Sequence, residues 1–119
     1  MRRRDIRVYL YDIVQAAANL QEFIQGRTLE DYAQSLLLRS AVERQFITIG
    51  EALHRALRMA PELERRISNA QRVIGFRNRL IHGYALTDDD IVRNALQVDL
   101  PVLRREVSAW LDELDEAEG

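Results

Sequence analysis

The 119-residue sequence contains no cysteine, only two prolines, five glycines and one tryptophan. The missing cysteine excludes disulfides, thiolate metal sites and a cysteine nucleophile. It is compatible with a reducing compartment, and a cytoplasmic location is the expectation. Long apolar runs are missing as well, and nothing approaches the ~20 residues that a membrane-spanning helix needs. Met1–Arg4 is basic but leads into Ile6-Arg7-Val8-Tyr9-Leu10-Tyr11-Asp12, whose charges argue against the apolar core of a signal peptide. No charge of one sign dominates: 17 basic and 19 acidic residues leave a formal net charge of −2, so there is no general attraction to nucleic acid. What remains is the composition of an ordinary globular chain, 47% hydrophobic and 30% charged. The length suits one domain over residues 1–119, and such a globule buries roughly two-thirds of its unfolded surface.

The distribution of charge says more than its sum. Arginines stand at 65, 66, 72, 77 and 79, and no carboxylate falls between Arg65 and His82. Asp112 to Glu118 is strongly acidic. The segment from 65 reads either as one local basic cleft or as a solvated helix face, with the acidic stretch as a frayed tail.

Apolar spacing is helical throughout, and nothing reads as strand. Ile6, Tyr9, Leu10, Ile13, Ala17, Leu20 and Ile24 recur at steps of three and four, with Asp5 available as N-cap and Gly26 as terminator. Thr28-Leu29-Glu30-Asp31 carries a capping signal, a carboxylate three residues after a hydroxyl. It opens a long helix that is expected to run to about Met59. Pro61 begins a short piece to Ile67. Ser68-Asn69 is expected to cap a helix through Val73, Ile74, Phe76, Leu80 and Ile81, closed by Gly83. Thr87-Asp88-Asp89-Asp90 starts the last helix, in which Pro101 predicts a kink or restart near Asp99-Leu100. The expected architecture is all-α: a four-helix bundle with one short extra helix. Gly50 sits mid-helix on the seam Glu43, Ile47, Gly50, His54. A helical glycine costs about 1 kcal/mol against alanine, so another backbone is expected to approach Gly50, in the same chain or in a second subunit.

Two histidines are present. His54, alone in mid-helix, reads as a surface or packing residue. His82 closes Gly75-Phe76-Arg77-Asn78-Arg79-Leu80-Ile81-His82-Gly83-Tyr84. Helical geometry puts Asn78 and His82 on one face with Arg79 three residues before the histidine, and Arg77 about a third of a turn away. Cleaving RNA without a metal takes a base for the ribose 2′-hydroxyl, an acid for the 5′-oxygen and a cation on the phosphorane. Histidine suits the first two roles and arginine the third. One histidine does not easily fill both roles in one turnover, and a two-fold dimer supplies a second His82. The competing reading is structural: Asn78 and His82 cap the helix and the arginines complement its negative end.

The segment resembles the signature of the HEPN superfamily, an arginine, four to six residues and a histidine, with a polar residue directly after the arginine as Asn78 is here. His82-Gly83-Tyr84 is similar to the histidine–any–tyrosine ending of its HepT-like toxins. Asp5 to Ile13, Thr28 to Tyr32, Ala41 to Arg44, Ile49 to Ala52 and Asp99-Leu100-Pro101 also resemble that group, in its order, so the likeness spans roughly residues 5 to 105. The resemblance implies a helical homodimer built around the motif that cuts RNA without a metal ion. It further implies a toxin encoded with a minimal nucleotidyltransferase antitoxin, which silences it by transferring AMP to Tyr84. Carried over, Arg77 is the phosphate and transition-state contact, Asn78 its polar helper and His82 the acid/base group. Arg79 lies outside the motif and is inferred only from being basic and near. Two other functions fit the sequence: a catalytically weak module that docks a nucleotidyltransferase and accepts its nucleotide, and a purely structural helical dimer. The last leaves the clustered Arg77, Asn78, His82 and Tyr84 without a purpose.

Overall fold

A computed structural model describes residues 5–82 and 88–118. Among them there is no strand. Helix α1 spans Ile6–Ile24, α2 Leu29–Gln34, α3 Leu36–Met59, α4 Ala70–Ile81, α5 Asp89–Asn94 and α6 Leu100–Glu118. A 3₁₀ turn, Pro61–Arg65, links α3 to α4, and one π turn, Ala95–Asp99, joins α5 to α6 without a break. No helix among the described residues is long and apolar enough to cross a membrane.

The starts follow from local hydrogen bonding. The Asp5 carboxylate accepts from the Arg7 amide at 3.0 Å. Thr28 and Asp31 exchange both bonds of a capping box, at 3.0 and 2.8 Å. Gly26, at φ 73°, takes the left-handed conformation that ends α1. Two expected elements differ. The predicted long helix from Thr28 is interrupted at Ser35, whose backbone is extended and whose hydroxyl accepts from the Leu38 amide at 3.0 Å, starting α3 afresh. The break turns Tyr32 into the core while Leu36 and Leu37 stay 71% and 82% exposed. Asn69 occupies the cap position of α4 but makes no side-chain cap. Instead its buried amide donates to the Asp99 carbonyl at 2.9 Å, and Ser68 bonds to Glu106. The restart expected near Pro101 takes the form of the π turn. Proline has no N–H for the Gln97 carbonyl, and the Leu100 amide reaches back five residues to Ala95. At the far start of this run Asp88 is the N-cap, accepting from the Asp90 amide at 2.8 Å, while Thr87 lies outside the described residues.

Helix α1 packs on α3 and α6, and α3 packs on α4. Leu10, Ile13, Leu20, Ile49, Leu53, Leu63, Ile67, Leu100, Leu103 and Val107 are all but sealed from solvent. At ~25 cal/mol per Å² of apolar surface, such burial is the main favourable term holding the helices together. The acidic end is not a frayed tail. It lies within α6, where Tyr11 donates to Asp115 at 2.9 Å, Arg7 reaches Asp115 at 3.4 Å and Arg66 pairs with Glu113.

Candidate active site

Helix α4 carries the site, and its rotation is set by packing. Val73, Ile74 and Phe76 turn inward. Phe76 meets Phe46 of α3 edge-on, with centroids 4.8 Å apart and planes at 80°. With Phe76 locked, Arg77 falls at the α3–α4 seam and is half-buried.

There Gly50 has its use. A Cβ placed on Gly50 would lie 2.3 Å from Arg77 Cβ and 2.6 Å from Arg77 Cγ. Carbon atoms approach no closer than ~3.5 Å at ease, so only glycine fits. The neighbour belongs to the same chain, one of the two sources the sequence leaves open, and it is a side-chain stem rather than the expected backbone. Beyond the stem, Arg77 Nη1 donates to Asn78 Oδ1 at 2.8 Å. Arg77 Nε is buried and has no acceptor among the described residues. A buried guanidinium donor left open is costly.

His82 is the C-cap of α4. Its amide donates to the Asn78 carbonyl at 3.1 Å, so the two residues stack one turn apart as the spacing predicts. The residue is exposed, and Ile81 beside it is 44% exposed although apolar. Gly83 and Tyr84 lie outside the described residues.

The five arginines do not form one cleft. Arg66 pairs with Glu113 and stands 5.8 Å from the Trp110 ring centroid. Arg72 binds the buried Asp99 carboxylate at 2.8 Å. Arg79 borders a cavity of about 510 Å³ between α4 and the α5–π-turn run, where Asp90 and Asp99 also lie. Arg77 and Asn78 border a different one, of about 490 Å³, with His54 and Arg58 of α3. Two residues of helix are about 200°, which is why Arg77 and Arg79 part company. Of the sequence-predicted residues, the structure brings Arg77 and Asn78 into contact and sets His82 one turn beyond Asn78. Arg79 stands apart.

His54, which the sequence presents as a surface or packing residue, is exposed and also edges the Arg77 cleft. The signal for that was present: Gly50 and His54 lie one turn apart on one seam, so whatever fills the glycine notch also neighbours the histidine.

Residues 13–110 match the family described as Ribonuclease HepT-like, and the chain belongs to that family. It is similar to the Methanocaldococcus jannaschii protein named Putative RNase MJ1380, with 28% identity covering 90% of this chain and 97% of the relative. It is also similar to Putative RNase MJ0125 of the same organism, 27% identical over 98% of this chain and 99% of the relative. Putative RNase TTE0752 of Caldanaerobacter subterraneus subsp. tengcongensis is 28% identical over 88% of this chain and 93% of its own length. No solved structure gives a significant match.

Proposed function

We propose that this member of the HepT-like ribonuclease family is a metal-independent endoribonuclease acting in the cytoplasm as a two-fold dimer. The observation that carries the reading is the seating of Arg77: its stem is fixed over Gly50, its head is tied to Asn78, and His82 stands one helical turn beyond Asn78. In the reaction, a base takes the 2′-hydroxyl proton as that oxygen attacks phosphorus. An acid protonates the departing 5′-oxygen, leaving a 2′,3′-cyclic phosphate and a 5′-hydroxyl. His82 of one subunit serves as base and His82 of the other as acid. Arg77, held in orientation by Asn78, balances the phosphorane charge with its planar fork. The exposed apolar Ile81 next to His82 suits a subunit interface at this helix end.

In the same reading the protein is the toxin of a toxin–antitoxin pair. Its partner is a minimal nucleotidyltransferase that silences it by attaching AMP to Tyr84, two positions past His82. The added phosphate would bring negative charge that competes with the RNA backbone for the site's cations. Arg79 has at most a peripheral role, since its cavity is shared with Asp90 and Asp99.

The test is cleavage of labelled RNA by the purified protein with EDTA present. His82→Ala is expected to abolish cleavage while helical circular dichroism stays close to wild type. Arg77→Ala is expected to slow it about 100-fold or more, since a lost transition-state contact typically costs ~3 kcal/mol or more. Cleavage that survives both substitutions, or that EDTA stops, would sink this assignment.

A further inference from the structure

The cleft beside Arg77 extends well past the catalytic motif. Its α3 wall presents His54 and Arg58, its α4 wall Gln71, Arg77 and Asn78, and no carboxylate among the described residues lines it. Glu51 holds Arg55 at 3.0 Å, and Glu64 accepts from Gln71 at the edge of the cleft. Arg58 has no carboxylate partner among the described residues, in contrast to Arg55 on the same helix. Two guanidinium groups and an imidazole therefore edge one hollow of about 490 Å³, alongside the unpartnered donor of Arg77.

The row along α3 has direction as well as charge. Arg77's stem lies over Gly50. At 1.5 Å of rise per residue, His54 stands ~6 Å and Arg58 ~12 Å further along the helix axis. A spread of that length exceeds one phosphate group and suits consecutive units of an extended backbone.

We propose that His54 and Arg58 form a backbone-phosphate subsite for single-stranded RNA, holding the strand next to the phosphate that Arg77 engages. The proposal rests on the ribonuclease reading for the identity of the strand. In this arrangement Arg58 contacts a phosphate as a planar fork, and His54 hydrogen-bonds the backbone between Arg58 and Arg77. Both are binding residues and leave the bond-breaking step to the motif.

The experiment measures binding of a fluorescent 2′-O-methyl RNA oligonucleotide, which cannot be cleaved because its nucleophile is blocked, to the full-length protein over a salt series. Each phosphate contact on single-stranded nucleic acid contributes about −0.7 to the slope of log K against log salt. Arg58→Gln should flatten the slope by about 0.7 and weaken binding several-fold at low salt, and Arg58→Lys should restore the slope. His54→Gln should weaken binding, and Arg105→Gln, on an exposed face of α6, should leave it unchanged. On cleavable RNA, Arg58→Gln and His54→Gln should raise KM with kcat kept. Unaltered binding in both variants, or no salt-dependent binding by the wild type, overturns the proposal. If the binding pattern holds and native RNA is not cut, the subsite stands and the ribonuclease reading falls.

Discussion

Replacing Gly50 by alanine tests the seating of Arg77 directly. Helix propensity alone favours the change by about 1 kcal/mol. Against it stands a methyl group 2.3 Å from Arg77 Cβ, when relaxed carbon contacts begin at ~3.5 Å. Cβ is rigidly attached to the α4 backbone, so no rotamer relieves the overlap and the two helices must separate by about 1 Å. Overpacking of this kind costs ~1–3 kcal/mol, and the rigid partner places it at the upper end. The net loss is then ~1–2 kcal/mol, or a fall in Tm of about 4–8 °C for a domain of this size. Displacing a phosphate contact by an ångström costs up to ~100-fold in rate, so RNA cleavage should suffer more than stability does. Thermal melts and single-turnover cleavage measure the two effects separately. Arg77→Gly removes the opposing Cβ, and in that background Gly50→Ala should become neutral or stabilising. A thermodynamic cycle over the four proteins should give a coupling of ~0.5–3 kcal/mol. A rise of Tm in the single Gly50→Ala variant, with cleavage untouched, would refute the close approach on which the site is built.

Light scattering at micromolar concentration should give the mass of a dimer; a monomer would remove the shared-cleft chemistry. Incubation with the partner nucleotidyltransferase, ATP and Mg²⁺ should add AMP-sized mass at Tyr84 in step with loss of cleavage, and Tyr84→Phe should block both. Silencing of the unmodified protein by partner binding alone would count against modification as the switch. The side-chain hydrogen bond from Arg7 lowers the Asp5 carboxyl from 3.8 to about 2. Its contribution is therefore full above pH ~4 and lost as pH falls through about 2. Asp5→Asn should accordingly flatten the stability–pH profile across that window, measured by urea unfolding, and an unchanged profile would contradict the cap.

Elements with a local cause were legible in the sequence. Asp5, the Thr28–Asp31 box and Gly26 act within three residues of the backbone they cap or turn, and the structure has all three where spacing put them. Ser35 was missed because the apolar period runs through it from Tyr32 to Leu38, and its hydroxyl competes for the helix only once Tyr32 is drawn into the core. Asn69 was misjudged for a related reason: its amide answers to Asp99, thirty residues away. At the site, spacing along one helix was enough to stack Asn78 and His82. It was not enough to say which of Arg77 and Arg79 faces α3, because that depends on Phe76 settling against Phe46 from another helix. Gly50 signalled a close approach, but only the packed structure names Arg77 as what approaches.

The π turn at Ala95–Asp99 has a bearing on chain length. A helix turn closed by a five-residue hydrogen bond holds about one residue more than an α turn does. The helical run from Asp89 to Glu118 therefore carries a spare residue at this point, stored as a bulge. Shortening the chain by one residue here would let the turn tighten to ordinary α geometry while Val92 on one side and Leu103 on the other kept their places in the core. The same deletion a turn later, within α6, would swing everything beyond it by about 100° and carry Val107 and Leu111 out of the interior. Along this thirty-residue stretch, tolerance to a change of length is concentrated in one turn, and Asn69 and Arg72 hold that turn from α4 through Asp99.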